Sequence, residues 1–363
     1  MKRAFILLII ILNVTGCSYI ELNKLAVASS IGIDFIDNKY VISASVMDIE
    51  KNGDSVKEKS LLYESSGETI SKAIRNMSES YPNTLYLGHL EIVVLGKTID
   101  ENKISDIFDY IMRSPEIRSS GYVLINDSGT AKEVLKPDNE DGFITESIKS
   151  SLKVAEKKSG TVNVITFEEF LIEYLRKGID PTLPVINVTN DSFSKTVISG
   201  MTPVSKNKSP KLSKNESIAY NTIFENYEDI VITPKYENEY FGAILFNPKS
   251  KIKVKIDDDV KINIDVSVET KLNEVYQKVS INDKKTHKEF EKIIANELKS
   301  YIEELLNYCK KYNTDLLGFK NEIYKNYYKD YDKYKDINLY EKDINVNIKT
   351  KIYRSGKTNK GAS

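Results

Sequence analysis

Few residues of this chain have the types and spacing that chemistry demands, and Cys17 is the clearest. It follows Val14-Thr15-Gly16, and ahead of these stand Lys2, Arg3 and an unbroken apolar run from Ala4 to Leu12. A basic start, a short apolar middle and a small residue before the cut make a secretory signal. A cysteine directly after the small residue makes it a lipoprotein signal. The expected chemistry is acylation of the Cys17 sulfur, removal of residues 1–16, and a new N-terminus held in a membrane by its lipid. The apolar run falls well short of the ~20 residues of a permanent spanning helix, and two acyl chains suffice for stable anchoring. An ordinary cleaved signal with a chance cysteine is the alternative; spacing and flanks both weigh against it.

Elsewhere the reactive residue types are scattered. The two histidines, His89 and His287, are far apart in sequence, and the second cysteine, Cys309, has no partner if Cys17 carries lipid. Zinc needs several closely spaced His or Cys ligands, so no metal site is expected, and His89 reads as a satisfied core histidine in an apolar strand. Cys309 lies on the apolar stripe of a long helical pattern and reads as a buried thiol rather than a nucleophile. Asp257-Asp258-Asp259 lacks the alternating ligands of a calcium loop and reads as a charged hairpin turn. The strongest polar cluster is Arg113, Glu116 and Arg118 around Pro115. It reads as an ion-pair network that fixes a turn, or as a docking surface for a partner subunit. Tyr324–Tyr340, tyrosines interleaved with lysines and acids, reads as a solvated helix end and loop.

Composition narrows the class. The chain has 363 residues, 40% hydrophobic and 29% charged, with a net charge of −1. That length suits two or three domains with a core that needs no disulfides. No basic footprint for nucleic acid is present, and no polybasic run adjoins Cys17.

The elements that must position these residues follow from periodicity. Val27–Phe35 and Tyr40–Met47 read as strands joined by a turn at Asp37-Asn38. Lys51–Lys59 reads as a charged loop, Leu61–Glu64 as a strand, and Ser65-Ser66-Gly67 as the Ser-capped entry to a helix carrying Ile70, Ile74 and Met77. Leu85–Leu95 has the continuous apolar character of a buried strand. Ile104, Ile107, Phe108, Ile111 and Met112 lie at helical spacing ahead of Ser114-Pro115. Gly121–Ile125 is a strand, and Asp127–Leu135 and Ile144–Val154 are helices. Thr166 with Glu169 forms a capping box. Asp180-Pro181 and Leu183-Pro184 are expected to end regular structure. Beyond them Thr196–Ser199, Ile218–Phe224, Ile230–Ile232 and Tyr240–Phe246 read as broken strands. Ile252–Ile256 and Val260–Val268 alternate apolar with polar residues, and a capping box at Thr286 and Glu289 opens a long helix striped from Phe290 to Cys309. Ile344, Val346, Ile348 and Ile352 close the chain with a strand. The expected fold is mixed α/β, with mostly antiparallel or mixed sheets flanked by helices in a three-domain lipoprotein. Its parts are a signal peptide 1–16, an α/β domain 17–187, a small β-rich middle domain 188–250, and a sheet-plus-long-helix domain 251–363.

Several segments, in order, are similar to one family. Cys17-Ser18-Tyr19-Ile20-Glu21-Leu22-Asn23 and Ser30-Ile31-Gly32-Ile33-Asp34 resemble the mature start of the Ger(x)C spore germination lipoproteins. Ser66-Gly67-Glu68-Thr69-Ile70, Leu85-Tyr86-Leu87-Gly88-His89-Leu90-Glu91, Arg113-Ser114-Pro115-Glu116-Ile117-Arg118, Thr314-Asp315-Leu316-Leu317-Gly318 and Ile352-Tyr353-Arg354-Ser355-Gly356 resemble later family segments. Tyr19 stands where the family commonly has tryptophan, and residues 200–240 match poorly.

The resemblance implies the C subunit of a nutrient germinant receptor, lipid-anchored through Cys17 on the outer face of the spore inner membrane. Its implied partners are the integral membrane A and B subunits. Its role would be assembly or signal coupling, with no enzymatic activity and no cofactor beyond the covalent lipid. Whether the chain touches nutrient is left open. The competing reading is the substrate-binding lipoprotein of a transporter; the expected strand pair, long helix and closing strand at the C-terminus do not suit its two similar lobes.

Overall fold

A computed structural model describes residues 25–52, 55–136, 144–189, 196–205, 209–275 and 284–354. The signal sequence and Cys17 lie outside the described residues.

The first half is built on a long hairpin. β1 (Leu25–Ile36) turns at Asp37 and Asn38, both left-handed (φ 50° and 59°), into β2 (Lys39–Asn52), as two-residue hairpins require. β2 runs on into β3 (Ser55–Gly67), paired from Tyr40↔Gly67 to Asn52↔Ser55. Where a loop is expected at Lys51–Lys59, the described residues 51–52 and 55–59 are strand, and Ser65–Gly67 belong to a strand. Charged alternating residues form strands without the apolar signal that sequence reading seeks. The helix that follows, α1 (Ile70–Ser80), is capped by Thr69, whose hydroxyl accepts from the Lys72 amide.

Next come β4 (Thr84–Tyr86), β5 (Ile92–Leu95), α2 (Glu101–Arg113) and β6 (Tyr122–Ile125). The apolar stretch 85–95 is thus two strands around a turn. His89 sits exposed in that turn, its ring edge-on to Tyr86, which corrects the expected core histidine. α3 (Ala131–Leu135), α4 (Ile144–Lys158) and α5 (Phe167–Leu175) follow, α5 with its Thr166/Glu169 capping box in place. β7 (Thr182–Val188) and β8 (Thr196–Pro203) complete the sheet, ordered β3-β2-β1-β5-β6-β7-β8 with β4 beside β1. Pro184 lies inside β7, which touches β6 only at Ile125↔Val185, so a missing donor there is tolerated.

β5 is buried on both faces. Val93 and Leu95 point into a core with α1, α2 and α5, while Ile92 and Val94 point into another with α3 and α4. Helices on both faces explain its unbroken apolar run.

The second half opens with α6 (Lys214–Ile223), where a strand is expected from Ile218–Phe224. Ser213 and Glu216 form its capping box, and every residue from Ser217 to Ile223 is buried. A helix enclosed on all sides has no polar face, which removes its periodic signal. β9 (Asp229–Ile232), the short pair β10 (Lys235–Tyr236) and β11 (Glu239–Tyr240), β12 (Gly242–Ile256) and β13 (Val260–Glu274) come next. The long helix α7 (Lys284–Tyr312) has already begun at Lys284, so Thr286 is inside it rather than capping it. Then follow α8 (Phe319–Asn326), α9 (Tyr331–Tyr334) and β14 (Asp343–Arg354). The sheet order is β14-β13-β12-β9, with β14 parallel to β13 through the α7 crossover. Phe290, Ile294, Leu298, Ile302, Leu305 and Cys309 pack as one stripe in this half's core. Tyr334 and Tyr340 are core residues as well, so the tyrosine-rich stretch is only partly solvated.

Among the described residues of 188–250 the one sheet confined to the segment is the two-stranded pair β10–β11. β8 closes the first sheet, and β9 and the start of β12 belong to the second. The halves meet where residues 177–180 pack on 314–321. The Asn321 amide donates to the Gly178 carbonyl (2.9 Å), and Asn321 Nδ2 donates to that of Lys177 (2.6 Å). Asn221 Nδ2 reaches the carbonyls of Gly160 and Val162 at 2.9 and 3.0 Å, adding a second seam.

Candidate functional site

Arg113 is the last residue of α2. Ser114 ends the helix with extended backbone (φ −78°, ψ 112°), the conformation a following proline imposes. Arg113 Nε donates to both carboxylate oxygens of Asp109, at 2.8 and 2.9 Å, one turn earlier. Arg113, Glu116 and Arg118 are all exposed. No hydrogen bond or ion pair joins these three to one another, so the expected network that fixes the turn is not formed. The turn is held by its backbone, with the Ile117 amide on the Ser114 carbonyl at 3.3 Å.

Beside this turn lies an open groove of about 660 Å³. α2 supplies one wall. Its buried positions, Ile104, Ile107, Phe108 and Ile111, hold the core, so Lys103, Asp106, Asp109, Tyr110 and Arg113 line the groove. Phe35, Asn38 and Tyr40 at the tip of the β1–β2 hairpin, with Glu68–Ser71 at the start of α1, supply the other. The Phe35 and Tyr40 rings meet edge to face at 5.1 Å, and Lys103 Nζ sits 4.3 Å above Phe35. The Tyr40 hydroxyl donates to Asp106 Oδ2 at 2.7 Å. Burial, then the hydrogen bond to Asp106, push the Tyr40 phenol well above its ordinary range, so it stays a donor. The lining contains no histidine or cysteine. It offers aromatic faces and both signs of charge, a lining suited to binding.

Sequence reading did not single out three carboxylates: Asp34, Asp180 and Asp315. Asp34 ends the Ser30–Asp34 segment. Its Oδ2 accepts the Ala131 amide (3.0 Å) at the start of α3, and its Oδ1 accepts the Thr98 hydroxyl (3.3 Å). Gly32 and Gly96 let this strand and α3 approach: a Cβ at Gly32 would lie 2.8 Å from that of Ala131, and one at Gly96 would lie 1.7 Å from Asp34 Oδ1. Asp315 caps α8, its carboxylate accepting the amides of Phe319 (2.9 Å) and Lys320 (2.8 Å) and the Tyr340 hydroxyl (2.8 Å). Gly318, left-handed at φ 68°, makes that cap possible. The signal available in the sequence was an aspartate beside apolar neighbours, Ile33-Asp34-Phe35 and Asp315-Leu316-Leu317. Such a carboxylate must find amide donors.

Cys309 is fully buried, and desolvation pushes its thiol far up, as expected for a core thiol. Asp257–Asp259 forms the β12–β13 turn, with Asp259 paired to Lys342 at 2.9 Å. Among the described residues no group of three or more His, Cys, Asp or Glu side chains is placed to hold a metal. Among them, too, no helix is long and apolar enough to cross a membrane.

Comparison with known proteins agrees with this layout. Residues 18–188 match the model of the spore germination protein N-terminal domain, and residues 205–356 match that of the spore germination B3/GerAC-like C-terminal domain. Spore germination protein KC of Bacillus subtilis (strain 168) is 23% identical, over 98% of this chain and 96% of its own length. Spore germination protein GerQC of Bacillus cereus is 22% identical, over 88% and 89%. A crystal structure of the GerBC protein superposes with a TM-score of 0.56 over 89% of this chain and 96% of that one, at 17% identity, which speaks to the fold. Two family domains in tandem over most of the sequence, with the mixed α/β fold of a solved relative, make this chain a member of the Ger(x)C family of spore germination proteins.

Proposed function

We propose that this protein is the lipid-anchored C-type subunit of a nutrient germinant receptor, acting in assembly or signal coupling rather than catalysis. The observation that carries this reading is the tandem of family domains, 18–188 and 205–356, starting one residue after Cys17. The lipid on Cys17 holds the body at the outer face of the spore inner membrane. There its encounter with the integral A and B subunits is confined to two dimensions, at a high effective concentration. The exposed Arg113–Arg118 turn and its groove are the surface we assign to those partners, because exposed arginines beside aromatic rings suit an interface. The protein needs no cofactor beyond the lipid.

A pull-down of tagged protein from detergent-solubilised spore membranes, wild type beside Cys17→Ala, tests this. Two integral germination subunits should come down with the wild type, and fewer with the variant. Recovery of a permease and an ATPase instead would replace this reading with a transporter's binding lipoprotein.

A further inference from the structure

The lysines that alternate with apolar residues in β12 do more than keep one side of a strand wet. Lys249, Lys251, Lys253 and Lys255 all project from the face of the second sheet opposite α7, and all are exposed. The register extends this row across the sheet. Lys255 lies opposite Lys261 of β13, and Ser267 of β13 stands between Lys249 and Lys349 of β14. Lys351 follows on the same face, its Nζ 4.5 Å above the exposed ring of Tyr353.

The face holds four acids, Asp229, Asp265, Glu269 and Asp343, against these seven lysines and Lys271, and Asp229 is already taken by Lys158 at 2.7 Å. Asp265 takes Lys253 at 3.8 Å, and Glu269 accepts the amide of Asn247 at 3.0 Å. Among the described residues Lys253 is the one lysine of this set with a carboxylate partner. A chain of net charge −1 therefore concentrates a surplus of positive charge on one face. Strand spacing makes the patch about 20 Å long and about 10 Å wide.

We infer that this sheet face rests on an anionic phospholipid surface, by contact between its lysines and lipid phosphates. Charge complementarity favours an anionic occupant. An open sheet face bordered by the single aromatic ring of Tyr353 favours a bilayer over a nucleic acid, which is held in grooves and stacked on several aromatic rings. The membrane setting rests on the anchoring proposed above; the charge pattern does not. Lipid contact here would orient the body and leave the Arg113 groove of the other half to protein partners.

The test uses the leaderless chain, residues 18–363, which retains every described element and has no lipid. It is mixed with vesicles of phosphatidylcholine alone or of phosphatidylcholine with phosphatidylglycerol, and bound protein is measured by flotation. Binding should require the anionic lipid and fall with salt. In Lys251→Glu/Lys253→Glu/Lys255→Glu it should drop by roughly a hundredfold, from about fivefold for each lysine lost. The control Lys72→Glu/Lys97→Glu/Lys153→Glu, with equal charge change on exposed positions of the first half, should bind as wild type. Equal binding to both vesicles, equal loss in both variants, or tight binding to single-stranded DNA without vesicle binding would overturn the inference. Because this chain has neither lipid nor partners, a negative result leaves the receptor reading to its own pull-down test.

Discussion

Asp180, in the loop between α5 and β7 of the first half, accepts the Thr314 hydroxyl at 2.8 Å and the Asp315 amide at 2.6 Å. The Asp180 amide returns a bond to the Asp315 carbonyl at 2.9 Å. One carboxylate thus ties the two family domains together beside the cap of α8. Asp180→Ala removes both acceptor contacts and leaves the Thr314–Asp315 segment without its partner. The expected cost is about 2 kcal/mol. Urea unfolding followed by tryptophan-free probes, such as far-UV circular dichroism, should show a lower midpoint, and limited proteolysis should cut earlier between the halves. A midpoint equal to wild type would mean the seam is held elsewhere, at Asn221 and Asn321.

Asp315 gives stability a pH dependence whose sign can be stated. Burial outweighs its three donors and raises its pKa from 3.8 to about 6. Between those values the folded chain binds a proton that the unfolded chain has released. Its contribution is therefore fully present below about pH 4 and is lost as pH rises to about 6, some 3 kcal/mol across the window. Glu228 and Asp259, held low by lysines, act in the opposite direction. The informative quantity is therefore the difference between wild type and Asp315→Asn. That variant is expected to be less stable throughout, since its amide meets the Lys320 N–H, and to lack the decline between pH 4 and 6. An unchanged slope would place the titration on another group.

Where burial falls on one side of an element, the sequence is legible. The alternation of Val260 to Val268 and the stripe from Phe290 to Cys309 each record a single buried face. Asp37-Asn38 and the Thr166/Glu169 box record local backbone chemistry. α6 failed as a helix to the eye because it is enclosed all round, and the far end of the β2–β3 ribbon, beyond the strands legible at Tyr40–Met47 and Leu61–Glu64, failed because it is charged. The groove was not legible at all. Arg113 was singled out, but its wall-mates Phe35, Tyr40 and Glu68 come from a hairpin tip and a helix start that only the tertiary fold brings together. Asp34 and Asp180 were missed for a related reason: their donors lie far along the chain, Ala131 for Asp34 and Thr314 for Asp180.

The Arg113–Arg118 turn separates stability from assembly. Arg118 is exposed, and Arg113 bonds only its helical neighbour Asp109, an exposed pair of little energetic weight. Arg113→Ala and Arg118→Ala should each leave the melting transition within about 0.5 kcal/mol of wild type. Recovery of the integral subunits in the pull-down should nevertheless fall. A large drop in melting temperature would return these residues to a structural role.

Cys309 should be chemically silent in the folded chain. It is fully buried, and desolvation disfavours its thiolate, the form that reacts. In the leaderless chain it is the single thiol. Ellman's reagent should release no colour under native conditions and one equivalent in denaturant. Rapid native labelling would require α7 to open locally.

Gly96 tests how tightly Asp34 is held. A methyl at this position would fall 1.7 Å from Asp34 Oδ1 and 3.0 Å from the Ala131 amide. The carboxylate would have to turn away, leaving the first amide of α3 unpaired in a buried site. Gly96→Ala is therefore expected to cost about 3 kcal/mol, more than the strain of one added methyl alone. If the cost arises through Asp34, the two positions must couple. In an Asp34→Ala background the amide is already unpaired and the space is free, so the added methyl should cost under about 1 kcal/mol. Chemical denaturation of the four proteins of this cycle measures that coupling. Additive losses would show that Gly96 is needed for its backbone conformation or for packing against α3, and not for room beside the carboxylate.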